Sequence, residues 1–219
     1  MKPKNLLVAA TSAEIMDICG PIEPYQLTDI NQNWSVLVTG VGIVPTVFYL
    51  TKVLSSNNFQ FVLNVGIAGA INRKLSIGQT VNIVSEELAF WGSEDNDDFL
   101  SVFKAGIQNS NEYPFSNGKI LPLKSDFDLP SIEKVSGLTV QTVTGSLKSI
   151  DLLHQHYHVD VESMEGAAVF YVANQFNIPV AQIRTISNYV EPRNRDNWRI
   201  QEALTALSVV VKPMLAPQE

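Results

Sequence analysis

Phe61-Val-Leu-Asn-Val-Gly-Ile-Ala-Gly-Ala70 decides how the chain is read. Phe61 to Val65 has the composition of a strand buried on both faces. Gly66-Ile67-Ala68-Gly69-Ala70 ends it, with glycines that permit a tight turn or a close approach of backbone to ligand. The pattern extends outward in both directions. Upstream, Asn5 to Ala10 and Trp34 to Thr39 are apolar strands, the second ended by Gly40-Val41-Gly42. A helix follows from Pro45 to Leu54, since proline is tolerated in a first helical turn. Downstream, Thr80 to Ser85 is a strand entered from the turn at Gly78, and Leu138 to Val143 is another. Val159 to Ser163 is a short strand leading into Met164-Glu165-Gly166 and a helix to Phe176. Pro179 to Ile186 is a strand, and Ile200 to Leu215 a closing helix with apolar positions at helical spacing. Strands alternating with helices predict an α/β sheet covered on both faces.

Composition narrows the class. The chain has 219 residues, enough for one α/β domain. Hydrophobic residues make up 45% and charged residues 17%, as in compact soluble proteins. The formal net charge is -7 and Lys and Arg form no run, which argues against a nucleic-acid partner. Cys19 is the single cysteine, so no internal disulfide forms, and a reducing cytoplasmic setting is expected. The apolar run near Met1 is shorter than a signal peptide needs, and no stretch approaches the roughly 20 residues of a membrane helix. The stretch 92–128 is polar and rich in Asn, Asp and Ser. It is read as an insertion or lid with little regular structure, of the kind that often carries function.

In sheets of this class ligands sit beyond the carboxyl ends of strands. Thr11 to Glu14, Gly40 to Gly42, Gly66 to Ala70 and Ser187-Asn188 all lie at such ends, and Glu162 to Glu165 follows a further strand. Asn64-Val-Gly-Ile-Ala-Gly-Ala70, Val161-Glu-Ser-Met-Glu-Gly-Ala-Ala168 and Arg184-Thr-Ile-Ser-Asn188 resemble, in order and spacing, three signature segments of the nucleoside phosphorylase and nucleosidase superfamily. Ser187-Asn-Tyr-Val-Glu-Pro-Arg-Asn-Arg-Asp-Asn-Trp-Arg199 is similar to one branch, the futalosine hydrolases of the alternative menaquinone pathway. The resemblance implies a single domain over 1–219, built as a three-layer α/β/α sandwich with a mixed twisted central sheet. It also implies a homodimer or larger homo-oligomer acting on a small nucleoside, with no cofactor and no metal.

Cleaving an N-ribosidic bond builds oxocarbenium-like charge on the sugar. It calls for a base to activate water, groups that hold the ribose, and a donor to the departing purine. The resemblance gives Glu14 the first role, one a carboxylate fills if burial raises its pKa; alone, Glu14 also reads as a solvated residue at a helix start. Glu165 would accept from the ribose hydroxyls with Met164 packed on the sugar, and Glu162 is a neighbouring candidate. Ile67 and Gly69 stand where backbone can approach the ligand.

Asn188 departs from the adenosine-type nucleosidases, which carry aspartate there. An amide can donate to both N7 and O6 of a 6-oxopurine without needing a proton. That points to hypoxanthine or guanine; turn geometry is the alternative reason for Asn. Arg193 and Arg195 could grip a substrate carboxylate or face solvent in a loop. Phe90 and Trp91 could stack on substrate or pack in the core. His154, His156 and His158 could suggest a metal, but a polar connection before the strand at Val159 is the reading preferred. Arg73 is the only arginine before Arg184, so a phosphate co-substrate would be poorly held beside Glu14, Glu86 and Glu87. Water is the expected nucleophile. The rivals are a purine nucleoside phosphorylase, an adenosine-type nucleosidase, and a nucleoside-binding module without catalysis.

Overall fold

The computed structural model describes residues 3–96, 98–127 and 129–216. Asp97 and Asp128, which fall within the polar stretch, lie outside the described residues. The chain runs β1 (Lys4–Ala9), α1 (Ser12–Cys19), β2 (Leu27–Asp29), β3 (Trp34–Val38), α2 (Ile43–Ser56) and β4 (Phe59–Ala70). It continues through β5 (Thr80–Leu88), β6 (Gly92–Asp95), β7 (Asp98–Ser101), β8 (Phe115–Ser116), β9 (Lys119–Ile120) and β10 (Glu133–Thr139). It closes with α3 (Leu147–His156), β11 (Val161–Ser163), α4 (Gly166–Gln175), β12 (Val180–Tyr189) and α5 (Ile200–Met214).

The apolar strands behave as their composition predicts. β1 is parallel to β3 and to β4, and β12 lies parallel on the far side of β4. Alternate residues leave opposite faces of a strand. Leu6, Val8 and Val62 accordingly pack with Leu50 and Val53 of α2 and Phe170 of α4. Leu7, Ala9 and Leu63 pack instead with Ile15 of α1 and Leu207 and Val211 of α5. Each fully buried Leu, Val or Phe contributes about 1.5–3 kcal/mol relative to exposure. Two helix layers thus cover one mixed sheet.

The sheet does not stay open, and this corrects the sandwich expectation in part. β12 also pairs antiparallel with β5, β5 pairs with β10, β10 with β11, and β11 antiparallel with the end of β4. Those five strands form a closed ring. Ala68, Val81, Ile83, Val135, Val161 and Ile186 form one of its apolar clusters.

Several elements differ from the sequence reading. β4 does not end at Val65 but runs on through both glycines to Ala70. The strand expected over Leu138 to Val143 is displaced to Glu133–Thr139. The stretch around the histidines is helix: Ser146 caps α3 in a reciprocal box with Ser149, and His154 and His156 close its last turn. The polar stretch 92–128 has more regular structure than expected, since β6 and β7 form a hairpin and β9 adds to the edge of β5. No helix among the described residues is long and apolar enough to cross a membrane.

Candidate active site

The site lies where β4 changes neighbours. On one edge it pairs with β1 as far as Asn64, opposite Val8, and with β11 only from Gly69, opposite Glu162. Between them that edge has no strand partner, and a notch opens at a topological switch point. Glu14 fills it. Helix α1 starts at the carboxyl end of β1, with Thr11 as N-cap and Glu14 three residues on, a capping box. Glu14 Oε2 accepts from the N–H groups of Ala10 (3.2 Å) and Thr11 (3.0 Å) and from Thr11 Oγ1 (3.1 Å). Its Oε1 accepts the orphan N–H of Ile67 at 3.2 Å. The cap that starts the helix therefore also plugs the gap in the strand.

Glycine at 66 is a steric requirement. A Cβ there would collide with Arg184 Nη1 and with the Glu14 carboxylate. Arg184, from β12, is 1% exposed. Its Nη1 is 3.9 Å from Glu14 Oε1 and its Nη2 3.8 Å from Glu165 Oε2, within ion-pairing range but longer than hydrogen bonds. Burying an isolated guanidinium costs several kcal/mol, so it persists here because two carboxylates face it. Burial still dominates at Glu14: desolvation raises its pKa, and the opposing Arg184 charge does not cancel that. Glu165 itself is the N-cap of α4, and its Oε1 accepts the Gly42 N–H at 2.8 Å.

Behind Glu165 runs a buried chain of hydrogen bonds. Gln182 Nε2 donates to Glu86 Oε1 (2.7 Å), Thr139 Oγ1 donates to Glu86 Oε2 (2.9 Å), and the Ala167 N–H donates to Thr139 Oγ1 (2.7 Å). This ties the start of α4, and with it Glu165, to the ring of strands. Burial pushes the Glu86 carboxyl up to about 7. Glu87, expected beside it, turns outward and pairs with Lys119 at 3.0 Å.

The far wall is made by Glu162 and Asn188. Strand β12 continues through Ser187 and Asn188 to Tyr189, so Asn188 is a strand residue and turn geometry does not explain it. Ser187 Oγ donates to Asn188 Oδ1 at 2.8 Å, and Asn188 Nδ2 donates to the Tyr189 carbonyl at 3.0 Å. One of the two amide hydrogens is thereby occupied. The amide has one N–H left for a ligand, not the two that contact with both N7 and O6 would use. Glu162 Oε1 accepts the Thr144 N–H at 3.1 Å, and burial raises its pKa to about 7.

These groups enclose a cavity of about 370 Å³. It brings together Glu14, Ile67, Gly69, Glu162, Met164, Glu165 and Asn188. Phe90 is not among its lining residues: its ring packs edge-on against Phe99, His156 and Tyr157. Trp91 lines a different hollow with Phe103 and Tyr157. Arg193 and Arg195 are exposed and outside the cavity, but the Arg193 guanidinium lies 5.0 Å from the centre of the Trp198 ring, which is part of the wall. No group of three or more His, Cys, Asp or Glu among the described residues is placed to hold a metal ion. Sequence reasoning gave Arg184 and Trp198 no role. The signal for Arg184 was a lone charge in the apolar run Val180 to Ile186, since such a charge must be paired.

Chemically, the cavity sets the Glu14 and Glu165 carboxylates at one end and the Asn188 amide, with Glu162 beside it, at the other. Its nearest guanidinium is already held between two carboxylates, so a phosphate dianion would meet net repulsion, while a developing cation would be stabilised.

Residues 23–216 match the phosphorylase superfamily. The chain is 32% identical to a futalosine hydrolase of Streptomyces coelicolor over 186 residues, covering 82% of this chain and 77% of the relative. It is 29% identical to a futalosine hydrolase of Acidothermus cellulolyticus, covering 94% and 88%. A solved structure of a Helicobacter pylori futalosine hydrolase mutant superposes with a TM-score of 0.74 at 18% identity, covering 97% of this chain and 98% of that one. At that identity the superposition speaks for the fold alone.

Proposed function

The chain belongs to the phosphorylase superfamily, and from that premise we propose that it hydrolyses the N-ribosidic bond of futalosine and releases hypoxanthine. The observation that carries the reading is the convergence of Glu14, Glu165 and Asn188 on one cavity with Arg184 buried between the two carboxylates. The 32% identity to a futalosine hydrolase selects the substrate within the superfamily.

Glu165, anchored by Gly42 N–H and by the Thr139–Glu86 chain behind it, accepts from the ribose hydroxyls. Met164 packs on the sugar. As the C1′–N9 bond breaks, electrons pass to the purine and positive charge grows on the ribose, where the carboxylates stabilise it. Glu14 takes a proton from the attacking water, and the remaining lone pair of its Oε1 is the acceptor. Burial raises its pKa, which makes it a stronger base than a solvated carboxylate. Asn188 donates its free N–H to N7 and steadies the departing hypoxanthine anion, which is protonated from solvent. Arg193, stacked over Trp198 at the wall, meets the carboxylate at the far end of the substrate, with Arg195 beside it. A single cytoplasmic domain with the 92–128 stretch as its insertion, assembled as a homodimer or larger, and a place in menaquinone synthesis complete the proposal.

A substrate panel tests it: futalosine, aminodeoxyfutalosine, inosine and methylthioadenosine, each with and without phosphate. Hypoxanthine from futalosine without phosphate is the expected result. Preference for methylthioadenosine, or activity only with phosphate, overturns it.

A further inference from the structure

Glu165 holds the N-cap position of α4, yet its side chain does not cap the helix. An N-cap side chain ordinarily accepts the N–H of the second or third helical residue. The Glu165 carboxylate is turned away instead: its Oε1 takes the Gly42 N–H at 2.8 Å, and its Oε2 faces Arg184 Nη2 at 3.8 Å. Glu14 shows the opposite arrangement, since its carboxylate is part of the capping box of its own helix.

The cap of α4 comes from another element. Ala167 is the second residue of the helix, and its N–H donates to Thr139 Oγ1 at 2.7 Å. Thr139 is the last residue of β10 and is buried. A hydroxyl has one hydrogen and two lone pairs. Thr139 spends the hydrogen on Glu86 Oε2 at 2.9 Å, so a lone pair is left for Ala167. Glu86, with no solvent exposure, is fixed in turn by Gln182 Nε2, which donates to its other oxygen at 2.7 Å. The first helical residue is Gly166, and a Cβ there would collide with Glu86 Oε1. The start of the helix is thus shaped to receive the Thr139–Glu86 pair.

We propose that Thr139, oriented by Glu86, is a positioning residue that caps α4 in place of Glu165 and so keeps the Glu165 carboxylate free for the ribose. This rests on the hydrolase reading given above and deepens it. A helix N-terminus attracts a carboxylate, and Glu165 stands at this one. With the Ala167 N–H already satisfied, Glu165 gains nothing by folding back onto its own helix. Without the Thr139 hydroxyl, the bare N–H and the carboxylate become partners, and the site loses its ribose acceptor.

Thr139→Val is the test, because it keeps the shape and removes the hydroxyl. kcat/KM for futalosine should fall about 100-fold, the cost of a misplaced group. Calorimetric binding of free hypoxanthine should be unchanged, since Asn188 lies on β12 and not on α4. Thr139→Ser, which restores a cap oxygen, should return kcat/KM to near the native value. Equal losses for futalosine and free hypoxanthine, or no recovery in Thr139→Ser, would mean that Thr139 only supports the fold and would overturn the inference. A crystal structure of Thr139→Val should show the Glu165 carboxylate within hydrogen-bond distance of the Ala167 N–H; Glu165 still bound to the Gly42 N–H there would overturn it as well. If Thr139→Val does not fold, Thr139→Ala is read in the same way. If the native enzyme fails to cleave futalosine, the functional proposal falls; the crystal structure still decides the role of Thr139.

Discussion

The two halves of β4 share one backbone and opposite construction. From Phe59 to Asn64 the strand sends side chains into both helix layers, and Leu63 has no solvent exposure. From Val65 to Ala70 two positions are glycine, and carboxylate, guanidinium and amide groups from β12, α1 and β11 occupy the space a side chain would take. The first half is held by what it contributes, the second by what it leaves out. A continuous strand gives the site a rigid floor, and missing Cβ atoms give it depth.

Removing the group that plugs the notch should have the largest effect. Glu14→Gln is expected to lower kcat by about 10²–10⁴, the usual worth of a general base, with substrate affinity largely retained. Hypoxanthine release and calorimetric binding measure the two separately; a kcat within tenfold of native would remove Glu14 as the base.

A matched pair of substitutions then divides the strand itself. Gly66→Ala forces Arg184 and Glu14 apart and should cost about 100-fold in rate through misplacement, with about 1–3 kcal/mol of overpacking strain. Leu63→Ala, three residues earlier, should cost about 2–5 kcal/mol in urea unfolding yet leave kcat per folded molecule unchanged. If Leu63→Ala slows turnover as much as Gly66→Ala, the division between the halves is false.

The smallest effect concerns pH. Burial raises Glu86 from 4.5 to about 7, so the folded protein holds that proton more tightly than the unfolded chain. Its stabilising contribution is full below 4.5 and is lost as pH rises through about 7, and Glu162 acts with the same sign. The melting temperature of the unliganded protein should therefore fall across that window, and Glu86→Gln should flatten the slope. An unchanged slope would show that the proton resides elsewhere.

The apolar half of β4 was legible in the sequence because its composition and its burial have the same cause. For the glycine half the sequence leaves a tight turn and a close approach to ligand both open and ends the strand at Val65, because glycine permits both a turn and a strand crowded by foreign side chains and no local pattern separates them. Glu14, Glu165 and Asn188 were found by resemblance; their residue types alone fit a helix cap, a helix start and a turn equally well. The closed ring was not legible, because β12 pairing with both β4 and β5 is a fact of register. α3 was hidden by its histidines, whose polarity masks the apolar spacing that buries Leu153. Phe90 was a fair candidate by type, but aromatic rings fill cores and cavities alike.

The ring has a consequence for how the molecule is made. β12 lies between β4 and β5, and its contact with β4 spans 118 residues of chain, as between Asn64 and Gln182. Closing so long a loop is entropically late. During synthesis everything up to α4 emerges before this strand exists, so β4 must wait with one edge unpaired, a surface that invites aggregation. The strand that ends the wait carries Arg184 and Asn188. Insertion of β12 therefore closes the ring and delivers two of the site residues in one event, and a nascent chain stalled before it would have neither.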